Sequence, residues 1–356
     1  MSTPQEELPL APQKVDNRMI KVFEFKNLGP LDYVAADNLG QINLIIGPNS
    51  AGKTWLLKAL YAAIRTLEET GRGHSNSSLS DVLSDKLYWT FQSGKLGDIV
   101  SKGKGKKLSA SVTLKGQPPL DFSFGQDTAK QVGDVTSEGL HRREANSIFM
   151  PPKEVLSLDK IILQTAIIEK QFGFDSTYTD LVLALQKQEP QGKSNLPLAQ
   201  TGHALESMFA GRIEYDRNRK EWIYKVGNTR FSINATAEGI KKIGILDILI
   251  RNQYLTQDSV VFIDEPESAL HPTAITQLFD IIELLAKQGM QFFIASHSYY
   301  VVKKLYITAL QENIDIPVLI ANGNGQWQQA SLKDGIPDNE IINESVRLFE
   351  QEIGVA

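Results

Sequence analysis

Gly47-Pro48-Asn49-Ser50-Ala51-Gly52-Lys53-Thr54 fits the pattern G-x-x-x-x-G-K-[ST] at every fixed position. Upstream, Gln41-Ile42-Asn43-Leu44-Ile45-Ile46 reads as a buried strand, and residues 55–64 downstream read as a helix with an apolar stripe. A strand feeding a glycine loop that opens a helix aims several backbone N–H groups and a positive helix end at one small volume. A triphosphate is the natural occupant. Gly47 and Gly52 let the backbone close around oxygen atoms that a Cβ would block. Pro48, Asn49, Ser50 and Ala51 complete the cradle. Lys53 is placed to reach the β- and γ-phosphates, and the Thr54 hydroxyl to ligate Mg2+.

A second motif lies two hundred positions on. Ser259-Val260-Val261-Phe262-Ile263 is a continuous apolar run, rich in β-branched residues and short for a helix, as expected of a central parallel strand. It ends in Asp264-Glu265-Pro266-Glu267. Ligands of doubly wound sheets bind at the carboxyl ends of strands, so these acids are expected beside the glycine loop. Alone they would read as an acidic helix start. Beside a complete phosphate loop, Asp264 reads as a holder of the Mg2+ shell and Glu265 as the group that polarises an attacking water. A further buried strand, residues 290–295, ends in Ser296-His297-Ser298. His297 at that strand end can reach a γ-phosphate or its water. His271, before Pro272, reads equally as a helix cap.

These segments resemble those of an ABC-type ATPase of the SMC-like, RecF/OLD kind, a group of stand-alone ATPases involved with DNA or with phage defence. Residues 20–30 resemble the opening strand, residues 147–154 the strand and turn of the Q-loop region, and residues 261–272 (VFIDEPESALHP) the Walker B and D-loop stretch. Its LHP ending differs from the LD of transporter ATPases. Residues 295–298 resemble the switch-histidine segment. The resemblance covers about half the chain and implies an α/β P-loop NTPase with a mixed central sheet flanked by helices. It also implies ATP and Mg2+ as ligands, and two chains that sandwich nucleotide. In such proteins a Ser-x-Gly signature at a helix start reaches the partner's nucleotide. The counterpart here is Asn234-Ala235-Thr236-Ala237-Glu238-Gly239, with Asn234, Thr236 and Gly239 as candidate contacts. Ala237 stands where the family serine would be, which weakens a trans contact to backbone amides alone. Asn234 or Thr236 reads as well as a plain N-cap. The metal-dependent nuclease domain of larger OLD-type proteins has no room or acidic cluster here. Nuclease or toxin chemistry is therefore expected on a separate partner chain.

Composition bounds the rest. Of 356 residues, 42% are hydrophobic, enough for a packed core. A net charge of -5 argues against gripping nucleic acid over the whole surface. Two local basic runs remain candidates for it: Lys102-Gly103-Lys104-Gly105-Lys106-Lys107 and Arg217-Asn218-Arg219-Lys220. The absence of cysteine excludes disulfides and thiolate zinc sites. Without a secretory leader or an apolar run of about 20 residues, no membrane is expected and a cytoplasmic location is.

The expected layout is a flexible tail over 1–17, an ATPase core over 18–68 and 235–356, and an inserted β-plus-helical subdomain over 69–234. Within the insert, residues 71–78 read as a polar glycine-bearing loop, 87–92, 108–114 and 120–124 as strands, and 155–188 as helical up to a break at 189–195. Residues 213–215 and 222–224 read as a hairpin with a basic tip. A strand over 326–330 and a helix over 338–352 close the chain. The favoured function is an ATP hydrolase that controls an effector; the alternatives are a RecF-like ATPase on DNA, a transporter's nucleotide-binding subunit and a non-hydrolysing scaffold. The transporter reading lacks an LSGGQ-like run.

Overall fold

The computed structural model describes residues 19–73, 76–190 and 211–355. The tail over 1–17, His74 and Ser75 of the glycine-bearing loop, and residues 191–195 of the helix break lie outside the described residues. The chain opens with the hairpin β1 (Ile20–Leu28) and β2 (Leu31–Ala36); β3 (Ile42–Ile46) then runs into α1 (Lys53–Glu69). Next come α2 (Leu79–Phe91), β4 (Lys107–Leu114), β5 (Pro119–Gly125), β6 (Asp134–Val135) and β7 (Ile148–Met150). A helical stretch holds α3 (Asp159–Leu163), a π-helical turn (Gln164–Ile168) and α4 (Ser176–Leu185). Strands β8 (Arg212–Asp216), β9 (Glu221–Val226) and β10 (Thr229–Ser232) lead to α5 (Glu238–Arg251). The chain then alternates through β11 (Val260–Asp264), α6 (Pro272–Lys287), β12 (Gln291–Ala295), α7 (Tyr299–Gln311) and β13 (Pro317–Ala321). It finishes with β14 (Trp327–Ser331) and α8 (Glu340–Val355).

The six-stranded central sheet has the order β14-β13-β3-β12-β11-β7, all parallel except β14. Its inner strands are buried on both faces, which is why they read as unbroken apolar runs. Alternate residues feed two cores. Ile42, Leu44, Val261, Ile263, Phe292 and Ile294 face the side covered by α4, α5, α6 and α7. Ile45, Val260, Phe262 and Phe293 face α1 and the antiparallel five-stranded sheet β2-β1-β4-β5-β6. Sandwiched there, α1 is buried on almost every side, not along one stripe.

Buried polar groups tie these layers together. The Gln291 side chain accepts from Met19 and Ile20 N–H and donates to the Ile20 and Gly40 carbonyls, pinning β1 to the start of β12. Glu68 of α1 accepts from Arg65, Arg143, and the amide and hydroxyl of Ser147, just ahead of β7. Tyr61 and Lys86 both donate to Asp180 of α4.

Two expectations change. Residues 87–92 are helical through Phe91, not a strand. Ser78 and Asp81 form a reciprocal capping box that starts α2, and Leu83, Leu87 and Thr90 then fall on its buried side. The aromatic run Tyr88-Trp89-Thr90-Phe91 favours strand only by propensity, which packing overrides. Nor does the interval 69–234 stand apart from the core. β4 pairs with β1, and β7 pairs with β11 inside the central sheet. The three-stranded sheet β10-β9-β8 pairs with no other strand, yet Ile213, Trp222 and Tyr224 pack into the main core, and the hairpin β8–β9 ends in the exposed basic tip 217–220. Among the described residues no helix is long and apolar enough to cross a membrane.

Candidate nucleotide site

The central sheet brings three strand ends side by side. β12 lies between β3 and β11, so the loops after all three open on one edge. Gly47 leaves β3 with φ 149, and a Cβ there would meet the Ala321 Cβ at 2.7 Å. Gly52, with φ 98, caps α1, and a Cβ there would press on Leu31 at 2.9 Å. Neighbouring protein atoms, and not only a bound phosphate, therefore require glycine at both ends of the loop. The Lys53 ammonium folds back over the loop, donating to the Gly47 and Pro48 carbonyls at 2.8 and 2.9 Å. Burial lowers its pKa, opposed by the charges of Asp264, Glu265 and Glu267.

From the next turn of the site, Thr54 Oγ1 donates to Asp264 Oδ2 at 2.9 Å. Asp264 is the last residue of β11 and is 4% exposed. Burial pushes its carboxyl up to about 6, the Thr54 hydrogen bond acting the other way and the Glu265 charge adding to the rise. Glu265 turns away from the sheet in the left-handed region, φ 50, anchored by its N–H on the Ala295 carbonyl. It lines a cleft of about 550 Å3 with Asn49, Ser50, Ala51, Gly52, Lys53 and Thr54. Pro30 and the Trp55–Phe91 pair, with ring centroids 4.9 Å apart, form the apolar wall of that cleft.

His297 follows β12 with its Nδ1 at 3.7 Å from Glu265 and 3.6 Å from Glu267. Glu267 is held in turn by Ser296 Oγ and the His297 N–H, at 2.8 and 2.9 Å. His271 is elsewhere: its Nδ1 accepts from the Thr273 N–H and caps α6. The Asn234 to Gly239 segment does not reach this chain's own cleft. Thr236 donates to the Ser232 carbonyl, Asn234 sits exposed in a short 3-10 turn, and Ala237 is the N-cap of α5 with no side-chain bond. Gly239 lies against Leu270 and Ala274. Neither polar residue caps the helix.

Several neighbours carry weight that the sequence reading gave them no share in. Lys58, also lining the cleft, pairs with Asp175 at the N-cap of α4, 2.7 Å away. Glu267 and Lys242 act on the acidic turn from behind. Glu267 was visible as the third acid of Asp264-Glu265-Pro266-Glu267, whereas Lys242, next to Lys241 in a helix that also carries Asp247 and Arg251, had no local mark. Among the described residues no cluster of three or more His, Cys, Asp or Glu could hold a metal by itself.

A family described as "AAA domain, putative AbiEii toxin, Type IV TA system" matches residues 173–303, the stretch that includes the acidic turn and His297. Among solved structures, the chain is similar to the Smc head domain of Pyrococcus furiosus with an extended coiled coil, bound to the C-terminal domain of ScpA. That alignment has a TM-score of 0.50 at 13% identity and covers 92% of this chain and 99% of the other. A second, an SmcHead bound to the C-winged helix domain of ScpA, aligns with a TM-score of 0.52 at 12% identity, covering 88% and 98%. The α/β fold, a mixed sheet flanked by helices, is that of these SMC head domains. No curated protein matches the chain. The glycine loop follows β3 and the acidic turn follows β11, on the same edge of the central sheet.

Proposed function

We propose that the protein binds Mg-ATP in the cleft over its phosphate loop and hydrolyses it. The observation that carries this reading is the Thr54–Asp264 hydrogen bond, with Glu265 in the same cleft. Thr54 and Asp264 offer adjacent hard oxygens, a donor set that suits Mg2+, which takes few protein ligands and completes its shell with phosphate and water. When bound there, the ion neutralises charge on the β- and γ-phosphates. Lys53 exchanges its loop carbonyls for phosphate oxygens, and the amides of the loop and the α1 start bind the rest. Glu265 orients a water in line with the γ-phosphorus and takes its proton. His297, beside Glu265, contacts the γ-phosphate side of that arrangement.

In this reading two chains close on nucleotide. The α5 start, remote from its own cleft, is free to face the partner's phosphates through backbone amides, with Asn234, Thr236 and Gly239 around it. The closed pair controls a separate effector chain, in the manner of OLD-like ATPases of anti-phage defence. The toxin–antitoxin wording of the matching family supports a role in prokaryotic defence. That both similar heads are described with ScpA bound supports a protein partner. A second reading, a RecF-like ATPase that touches DNA itself, is favoured only by the exposed runs 102–107 and 217–220. Glu265→Gln tests the first. It should slow phosphate release about 10²- to 10⁴-fold, leaving a measurable residual rate, and accumulate an ATP-bound dimer in light scattering; unchanged turnover would remove Glu265 from its role.

A further inference from the structure

Lys242 is buried in α5, lining a small cavity with Ile245, Ile263 and Leu278, and among the described residues its ammonium meets no carboxylate within ion-pair distance. It donates instead to three main-chain carbonyls of a single turn: Ser268 at 2.8 Å, Glu265 at 3.3 Å and Pro266 at 3.4 Å. That turn is unusual in its own right. Both Glu265 and Ala269 hold positive φ, 50 and 60, without being glycine, a conformation that persists only where surrounding contacts enforce it. Inside it, Ser268 N–H donates to the Glu265 carbonyl and Leu270 N–H to that of Glu267. The carbonyl dipoles are thereby turned inward on one point, and the Lys242 ammonium occupies it. A buried cation is retained at considerable desolvation cost, and an apolar residue would fill the same space without it.

The adjacent Lys241 grips a different segment. Its ammonium bonds Glu238 at 3.0 Å and Ser157 Oγ at 3.2 Å and lies 3.8 Å from Glu154, just beyond β7. Consecutive lysines of α5 therefore hold the turn after β11 and the segment after β7. A small enclosed cavity of about 20 Å3 separates them, lined by both lysines, Glu154, Asp264 and Pro266.

We propose that Lys242 is a positioning residue for ATP hydrolysis: it fixes the main chain of Glu265 in its left-handed turn, so that the carboxylate faces the cleft, and ties that turn to α5. The inference rests on the reading of Glu265 as the group that activates water. Lys242 makes no hydrogen bond with the phosphate loop, so it acts on turnover and not on nucleotide affinity. Because the same lysine belongs to the helix whose start is offered to a second chain, closure of the pair is transmitted to Glu265 through it.

The test compares Lys242→Met with the unaltered full-length chain. Its kcat for Mg-ATP should fall about 10- to 100-fold, the scale of a misplacement near 1 Å. The Kd for a fluorescent ATP analogue should stay within about twofold. Lys242→Arg, which keeps several donors, should recover most of the rate. In a Glu265→Gln background the same change should cost nothing further, because both act at one step. Should Met leave the chain unfolded, Lys242→Gln replaces it in the same comparison. Undiminished kcat in Lys242→Met, a parallel loss of affinity, or an equal loss in the Glu265→Gln background would each overturn the inference alone. An unaltered chain that binds Mg-ATP without turning it over would instead overturn the hydrolytic reading on which it rests.

Discussion

Thr54 and Asp264 are joined by a 2.9 Å hydrogen bond across 210 positions of sequence, and the sheet places another strand, β12, between β11, which ends in Asp264, and β3, whose loop leads to Thr54 in α1. The first turn of α1 must lean over β12 to make that contact. It does so because α1 is clamped between the central sheet and the five-stranded sheet. The relationship is a property of the whole fold, and the chemistry expected of the cleft depends on it.

Thr54→Ala removes the hydroxyl from that pair. A hydrogen bond to a charged group contributes about 1.5–3 kcal/mol. Mg-ATP affinity by calorimetry should drop on the order of 10- to 100-fold, while ATP binding measured in excess chelator should hardly change. Equal losses with and without magnesium would place the hydroxyl outside the metal shell.

Asp264 also sets a pH dependence in the metal-free protein. Its folded pKa, about 6, stands above the 3.8 ordinary for an aspartate. The folded state therefore keeps a proton that the unfolded chain has released. The stabilisation from this group is complete below about pH 4 and is lost as pH rises through about 6. Asp264→Asn, which has no charge to bury, should be more stable than the unaltered chain at pH 7.5, by an amount on the order of 2–3 kcal/mol. The difference in urea unfolding should vanish near pH 4. A constant difference across that range would show that the carboxylate is not destabilised by burial.

Glu68 is 1% exposed and answers two guanidinium groups, Arg65 and Arg143, as well as Ser147. Removing one partner of a buried charge cluster leaves the others uncompensated, at about 3–5 kcal/mol. Glu68→Ala should lower the urea midpoint accordingly, with Glu68→Gln intermediate. A loss below about 1 kcal/mol would mean that water reaches the cluster.

The site was legible wherever chemistry and strand sat together in the chain. Gly47 to Thr54 and Asp264-Glu265 each follow a short apolar run, and both runs read as central because they are buried on two faces. What could not be read were relationships between surfaces. Nothing local distinguishes Lys242, surrounded by carbonyls, from a lysine in water. Gly47 read as making room for phosphate, yet the nearest obstruction is Ala321, which the sequence places 274 positions away (321 − 47 = 274). The pairing of β1 with β4, antiparallel and distant, likewise carries no local mark, so the 69–234 interval looked separable. At Tyr88 to Phe91 intrinsic preference pointed one way and the capped, amphipathic register another; packing decided for the helix.

The placement of β3 bears on how the protein is made. Both of its sheet neighbours, β12 and β13, come from the far end of the chain; Asn43 and Phe292, which touch, are 249 positions apart. At about 5–20 residues per second, a ribosome needs about 12–50 s to deliver the first of them. Throughout that interval Ile42-Asn43-Leu44-Ile45-Ile46 has two open edges and no lawful partner, a condition that invites aggregation. Any nucleotide pocket is thus among the last features to form during synthesis, and the nascent chain has to shelter this segment until then.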